Sequence, residues 1–242
     1  MPLCIQAQDN YEIQVYGAET VGKHALMAEL HSNYTFNGTK QAENGVIPSN
    51  HIFHETIEIT KGITDWFETA LYLFNAVGNE HRTDFVGSHL RLRIRLPEKY
   101  HFPVGLGLSV ETGIQKRTYS EDDGTLEIRP IIDKQLKRWY IGFNPVLDKS
   151  LHGLNSSRGF VFSPNAKVSY KIIHQVEAGI EYYGSINEPQ QSFFAQHQQQ
   201  QLFITTDLHF SPDWEFNCGY GFGLTGSTDK AIFKVIVGRK FH

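Results

Sequence analysis

Arg91, Arg93 and Arg95 stand two residues apart. On an extended chain that spacing puts all three on one face. Guanidiniums in such a row repel one another unless carboxylates lie between them. Positions of the same parity elsewhere supply both signs: Glu29, Glu58, Glu111, Glu127 and Asp133 against Arg129 and Lys167. Two readings fit. One is a structural ion-pair network that fills an interior. The other is an arginine ladder that selects anions, as charged rings do in pores; the near balance of signs argues against strong selectivity.

Nucleophilic chemistry needs a base within hydrogen-bond reach of a hydroxyl. The pairs His31-Ser32 and Ser88-His89 are adjacent in sequence, and neighbours on a strand point to opposite faces. Neither is a dyad, and an enzyme is not expected. His51 and His54 also fall on opposite faces, so no metal site is expected there, nor any cofactor. Cys4 and Cys218 alone imply neither a disulfide framework nor a cysteine-based metal centre. The run Gln198 to Gln201 reads as a solvated loop end.

The elements that carry these residues follow from a two-residue period. In Glu215 to Leu224, Phe216, Cys218, Tyr220, Phe222 and Leu224 share one face, opposite Glu215, Asn217 and three glycines. The same alternation recurs over 25–36, 51–59, 66–76, 84–96, 104–115, 125–134, 138–148, 160–171, 176–185, 201–210 and 231–241. That predicts an all-β chain of about twelve antiparallel strands. Short turns near 61–62, 97–99, 135–137, 174–175 and 211–213 alternate with longer loops near 37–50, 77–83, 116–124, 149–158, 186–200 and 225–230. Short turns on one side and long loops on the other suit a transmembrane up-and-down barrel. A soluble sandwich or lipocalin-like barrel also alternates. Strand lengths of ~10 residues and aromatics near strand ends (Tyr34, Phe36, Trp139, Trp214, Phe241) favour the membrane. No stretch of ~18 apolar residues predicts a membrane helix. The chain divides into an N-terminal segment, 1–24, and a barrel, 25–242. Met1 to Gln8 reads either as the tail of a leader or as a loose terminus. A net charge of −4 gives no footprint for nucleic acid.

Pro130, Pro145 and Pro164 fall in three successive strands, on the outward parity and at similar depth. Proline cannot donate to a ladder. The patch is either a local bulge that sets curvature or a weak point through which a hydrophobic solute leaves sideways.

From about Tyr11 to Phe241 the chain resembles the channel-like outer-membrane barrels associated with the phenol meta-pathway. The resemblance is carried by Glu29-Leu30-His31-Ser32-Asn33, Glu58-Ile59-Thr60 to Asp65-Trp66, Glu127-Ile128-Arg129-Pro130, Arg138-Trp139-Tyr140 and Phe162-Ser163-Pro164. It implies a bacterial outer-membrane channel or porin-like protein that passes small molecules, hydrophobic ones among them, without naming a solute. Outer-membrane lipids and the outer-membrane assembly machinery are the implied partners. The last strand resembles the aromatic-ended signal that this machinery reads, with His242 after Phe241 as a departure. The alternatives are a plugged structural barrel without transport and, less favoured, a barrel enzyme acting on lipid.

Overall fold

A computed structural model describes residues 10–78, 83–186 and 198–242. Met1 to Gln8 and parts of two expected loops, 79–82 and 187–197, lie outside the described residues. The alternating stretches form twelve strands: β1 (Leu26–Asn37), β2 (Phe53–Thr64), β3 (Phe67–Val77), β4 (Thr83–Arg95), β5 (Gly105–Gln115) and β6 (Gly124–Leu136). They continue as β7 (Trp139–His152), β8 (Val161–Ile173), β9 (Val176–Ser185), β10 (Gln199–Leu208), β11 (Trp214–Gly223) and β12 (Ala231–Phe241). Each strand pairs with its sequence neighbours, and β1 pairs with β12, so the sheet closes into one antiparallel barrel. Closure leaves no free edge, the condition for a sheet in hydrocarbon.

The face that each parity takes is now visible. Leu90, Leu92 and Ile94 are 50%, 48% and 43% exposed, whereas Arg91 and Arg93 between them are 2% and 7% exposed. Apolar side chains therefore coat the outside and polar ones fill the inside, the inverse of a soluble barrel. Aromatic contacts ring both rims. Tyr34 packs on Phe36 and Phe53 at the long-loop end, with centroids 4.6 and 4.4 Å away. Trp139 packs on Tyr170 at the short-turn end, 4.9 Å away.

Two details depart from strict alternation. Val86 was expected outside with Leu90. A bulge sets Phe74 opposite Gly87 but Asn75 opposite Phe85. The extra residue reverses parity, so Phe85 faces out and Val86 is buried inside. The Gln198 to Gln201 run is no solvated loop end. All four side chains are buried, because the loop after β11 folds over them: Leu224 N donates to Gln200 O at 2.9 Å and Gln200 N to Thr228 Oγ1 at 3.1 Å.

The three prolines interrupt the wall without shifting it. The β6–β7 register pairs Ile128 with Leu147 and resumes at Ile132 with Phe143. Pro130 and Pro145 thus face each other across an unpaired stretch. Pro145 pairs with Pro164 on the next seam. The β8–β9 ladder runs only as far as Asn165 opposite Tyr183, one residue short of Pro164. An antiparallel residue sends its N–H and C=O to the same neighbour. The missing donors therefore fall on two seams, β6–β7 and β8–β9, and spare the one between them.

Candidate functional site

The lumen is not empty. Residues 10–24 form no strand, yet Tyr11, Glu12, Ile13, Val15, Tyr16 and Ala18 are all buried. The segment crosses the barrel from the long-loop end to the short-turn end. Asn10 Nδ2 donates to Asp229 in the loop after β11 at 2.9 Å. Asn33 Nδ2 donates to Asn10 O at 2.8 Å, and Thr56 Oγ1 to Tyr11 O at 2.6 Å. Lys234 Nζ donates to Ile13 O at 2.9 Å. Asn144 clasps Tyr16 at both backbone atoms: its Oδ1 accepts from Tyr16 N at 2.8 Å and its Nδ2 donates to Tyr16 O at 3.0 Å. Lower down, Val21 N donates to Glu68 at 2.8 Å and His24 N to Gly62 O at 3.0 Å. Inward polar side chains of the wall thus satisfy a backbone that has no ladder of its own.

The segment makes a waist around Tyr16. Its ring lies 4.4, 5.0 and 5.5 Å from the guanidinium carbons of Arg129, Arg91 and Arg93. Such contacts strengthen when desolvated. The Tyr16 hydroxyl meets Glu12 and, at 2.9 Å, the Tyr72 hydroxyl. Tyr16 and Ala18 also pack on Ile131, behind the proline gap. A cavity of about 170 Å³ lies on the long-loop side, lined by Glu12, His89, Glu111, Arg129, Asn155 and Arg158 among others. A larger one, about 700 Å³, lies on the short-turn side under Tyr16, Glu29, Glu58, Arg93 and Lys167.

Most of the expected charge network assembles. Arg91 pairs with Glu58 at 2.8 Å and Glu68 at 3.3 Å, and Arg93 pairs with Glu68 at 3.0 Å. Arg129 pairs with Glu127 at 2.6 Å and reaches Glu12 at 3.6 Å. Lys167 pairs with Asp207 at 2.8 Å and Glu181 at 3.2 Å, and Glu181 also holds Lys234. Four placements differ from expectation. Glu29 is in no ion pair among the described residues and borders the short-turn cavity. Arg95 is outside the network: it sits at the short-turn rim and pairs with exposed Glu98 at 2.7 Å. Glu111 stands opposite Arg91 in register, but its ion pair is with His89 at 2.7 Å. Arg91 turns the other way, across β3 to β2. Asp133 pairs with no cation among the described residues; it accepts from Ala18 N at 3.1 Å and Tyr140 Oη at 3.2 Å.

Ser32 and His31 do point to opposite faces. Ser32 Oγ donates to Glu55 at 2.5 Å on the outer surface, while His31 is buried inside. The sequence left open whether Tyr11 to Lys23 enters the lumen. Parity puts Glu29 and His31 on the same inward face of β1, but spacing alone did not join them to Glu58.

No protein-family model matches the chain, and no curated protein matches it in sequence. Solved structures match over nearly its whole length. The COG4313 outer membrane channel from Pseudomonas putida F1 aligns with 95% of this chain and 100% of its own, at 14% identity and a TM-score of 0.60. The NanC porin aligns with 89% of this chain and 99% of its own, at 9% identity and a TM-score of 0.57. The KdgM porin aligns over the same shares, at 10% identity and a TM-score of 0.56. At identities this low the phenol meta-pathway family is not shown; the alignments show that the chain has the fold of outer-membrane porin and channel barrels.

Proposed function

We propose that the chain is a non-enzymatic channel of the bacterial outer membrane for small molecules, closed at its waist by its own residues 10–24. The observation that carries this reading is the way the closure is held. Two cavities approach it from opposite ends. Between them stands a segment bound to the wall through side chains rather than through strand pairing. Such contacts can be exchanged for water one at a time, whereas a ladder strand cannot be withdrawn without opening the barrel. The polar waist and its arginines suit polar or anionic solutes. The proline gap, backed by Tyr16 and Ile131, is the route by which apolar solutes of the kind the sequence resemblance implies would leave sideways. Outer-membrane lipids and the assembly machinery are the partners this reading requires.

Planar-bilayer recording tests it. The purified full chain gives small or rare unitary currents. The double variant Tyr16→Ala/Asn144→Ala, which removes the ring and the backbone clasp, gives larger and longer ones. If neither protein conducts and liposomes holding either do not swell in small sugars, the barrel is a plugged structural element instead.

A further inference from the structure

The inward faces of β1 and β2 bring Glu29, His31 and Glu58 together. Glu29 and Glu58 are direct cross-strand partners, and His31 is two residues further along the same face of β1. One donor atom from each side chain lies within 4.8 Å of the other two. His31 is completely buried, and neither of its ring nitrogens has a hydrogen-bond partner. Its Nε2 sits 3.5 Å from Glu58 Oε2, which also lacks one. Buried polar groups are rarely left idle, and two ring nitrogens and a carboxylate oxygen in one place call for a further partner.

The surroundings leave that place open to a cation. Arg91 and Thr60 take the other oxygen of Glu58, at 2.8 and 2.6 Å, and so turn Oε2 toward His31. Glu29 makes no ion pair among the described residues. Gly238 on β12 is its partner on the other side. A Cβ at Gly238 would fall 2.8 Å from Glu29 Cγ, so glycine there leaves the carboxylate room to swing. Both glutamates border the short-turn cavity of about 700 Å³, which gives an ion a path in.

We propose that Glu29, His31 and Glu58 bind one divalent transition-metal ion, zinc or a metal of like preference. One imidazole and two carboxylates suit such ions, whereas magnesium and calcium favour oxygen alone. Zinc bonds of about 2.0–2.2 Å put tetrahedral donors about 3.3–3.6 Å apart, a spacing that His31 and Glu58 already have at 3.5 Å, so it is chiefly the Glu29 carboxylate that closes in, by roughly 1 Å. The fourth position opens on the cavity and takes water. The ion ties β1 to β2 and offsets two carboxylates that share one rung. This holds whether or not the barrel conducts.

The test uses full-length protein in detergent, stripped with EDTA, titrated with Zn²⁺ by calorimetry and with Co²⁺ by visible absorption. One equivalent of each binds, excess Mg²⁺ does not displace it, and the Co²⁺ spectrum lacks a sulfur charge-transfer band because Cys218 is elsewhere. Glu29→Gln and His31→Asn each weaken Zn²⁺ binding by more than about tenfold, while His209→Asn, an exposed histidine at the same end of the barrel, leaves it unchanged. Folding is checked by heat-modifiable migration on gels. If His31→Asn does not fold, Glu29→Gln and the wild-type Co²⁺ spectrum still decide. Absence of stoichiometric binding to the wild type overturns the proposal, as does binding that survives in the folded ligand variants.

Discussion

Arg91 holds two buried carboxylates, and the two depend on it unequally. Glu58 has Arg91 as its arginine partner, whereas Glu68 has Arg93 as well. Removing one member of a buried pair strands the other charge. Arg91→Ala is therefore expected to cost about 3–5 kcal/mol in urea unfolding, and Arg93→Ala distinctly less. Losses for both below about 1 kcal/mol would mean that water already screens the lumen. A second prediction belongs to the loops. The Arg117 hydrogen bond at 3.1 Å, and His152 at 2.7 Å behind it, hold the Asp123 carboxyl below its usual range. Because its folded pKa is lowered, the clasp is fully present above the ordinary carboxylate range and is lost as pH falls through the lowered value. The ¹³C carboxyl resonance of Asp123 is expected to titrate below about 3.9, and in Arg117→Ala to move up; a midpoint at or above 3.9 in the wild type breaks the argument. At this scale the sequence revealed which residues face inward, because parity decides that. It did not reveal partners. Arg91 chose Glu58, two strands away, over Glu111 directly opposite, and only closed-barrel geometry brings Glu58 within reach.

Between its aromatic rims the outer wall is mostly apolar, and Ile180 and Leu108 lie on it, exposed by 51% and 37%. Lysine at either is expected to cost about 2–4 kcal/mol when folding into vesicles, if the site lies near the midplane. Leucine at Ile180 is expected to cost little, and a barrel that tolerates both changes equally is not facing lipid. The proline patch concerns the same wall. Replacing Pro130, Pro145 and Pro164 with valine restores donors on the two interrupted seams. The expected outcome is a higher melting temperature and, if solutes leave there, slower uptake of apolar compounds at unchanged ion conductance. Unchanged melting would show that the gap is already satisfied from the lumen. Strand bounds were legible to within a residue or two in most cases because lipid outside and polar contacts inside impose one period throughout. The bulge at Val86 was not legible, since an extra residue in one strand shows only against its partner.

The whole molecule is a barrel whose residues 10–24 occupy its own interior, and composition could not show that. A plug segment needs neither strand period nor helix period, because the wall supplies its hydrogen bonds. Its two ends are fastened differently. At the short-turn end, His24 N donates to Gly62 O and Gly62 N returns a bond to Ala25 O, both at 3.0 Å, as the backbone merges with β1. At the long-loop end, Asn10 is tied by the Asp229 and Asn33 side chains. If the proposed channel opens, opening is expected to begin at the long-loop end, with residues 10–16 peeling away while 21–25 stay anchored. Asn10→Ala, which removes the tie to Asp229 and leaves Asp229 its bonds from Ser49 Oγ and Thr39 N, is expected to raise the frequency of openings in single-channel records without changing their size. Asp65→Ala, which removes the bond to Lys23 N at 3.1 Å, is expected to leave that frequency alone. The two variants separate the mechanisms because each removes one side-chain tie, half-buried at Asn10 and exposed at Lys23, of ordinary strength at about 0.5–1.5 kcal/mol, so thermodynamic softening alone would affect them alike. Equal effects would mean that the segment moves as a rigid unit, and a larger effect from Asp65→Ala would place the hinge at the opposite end.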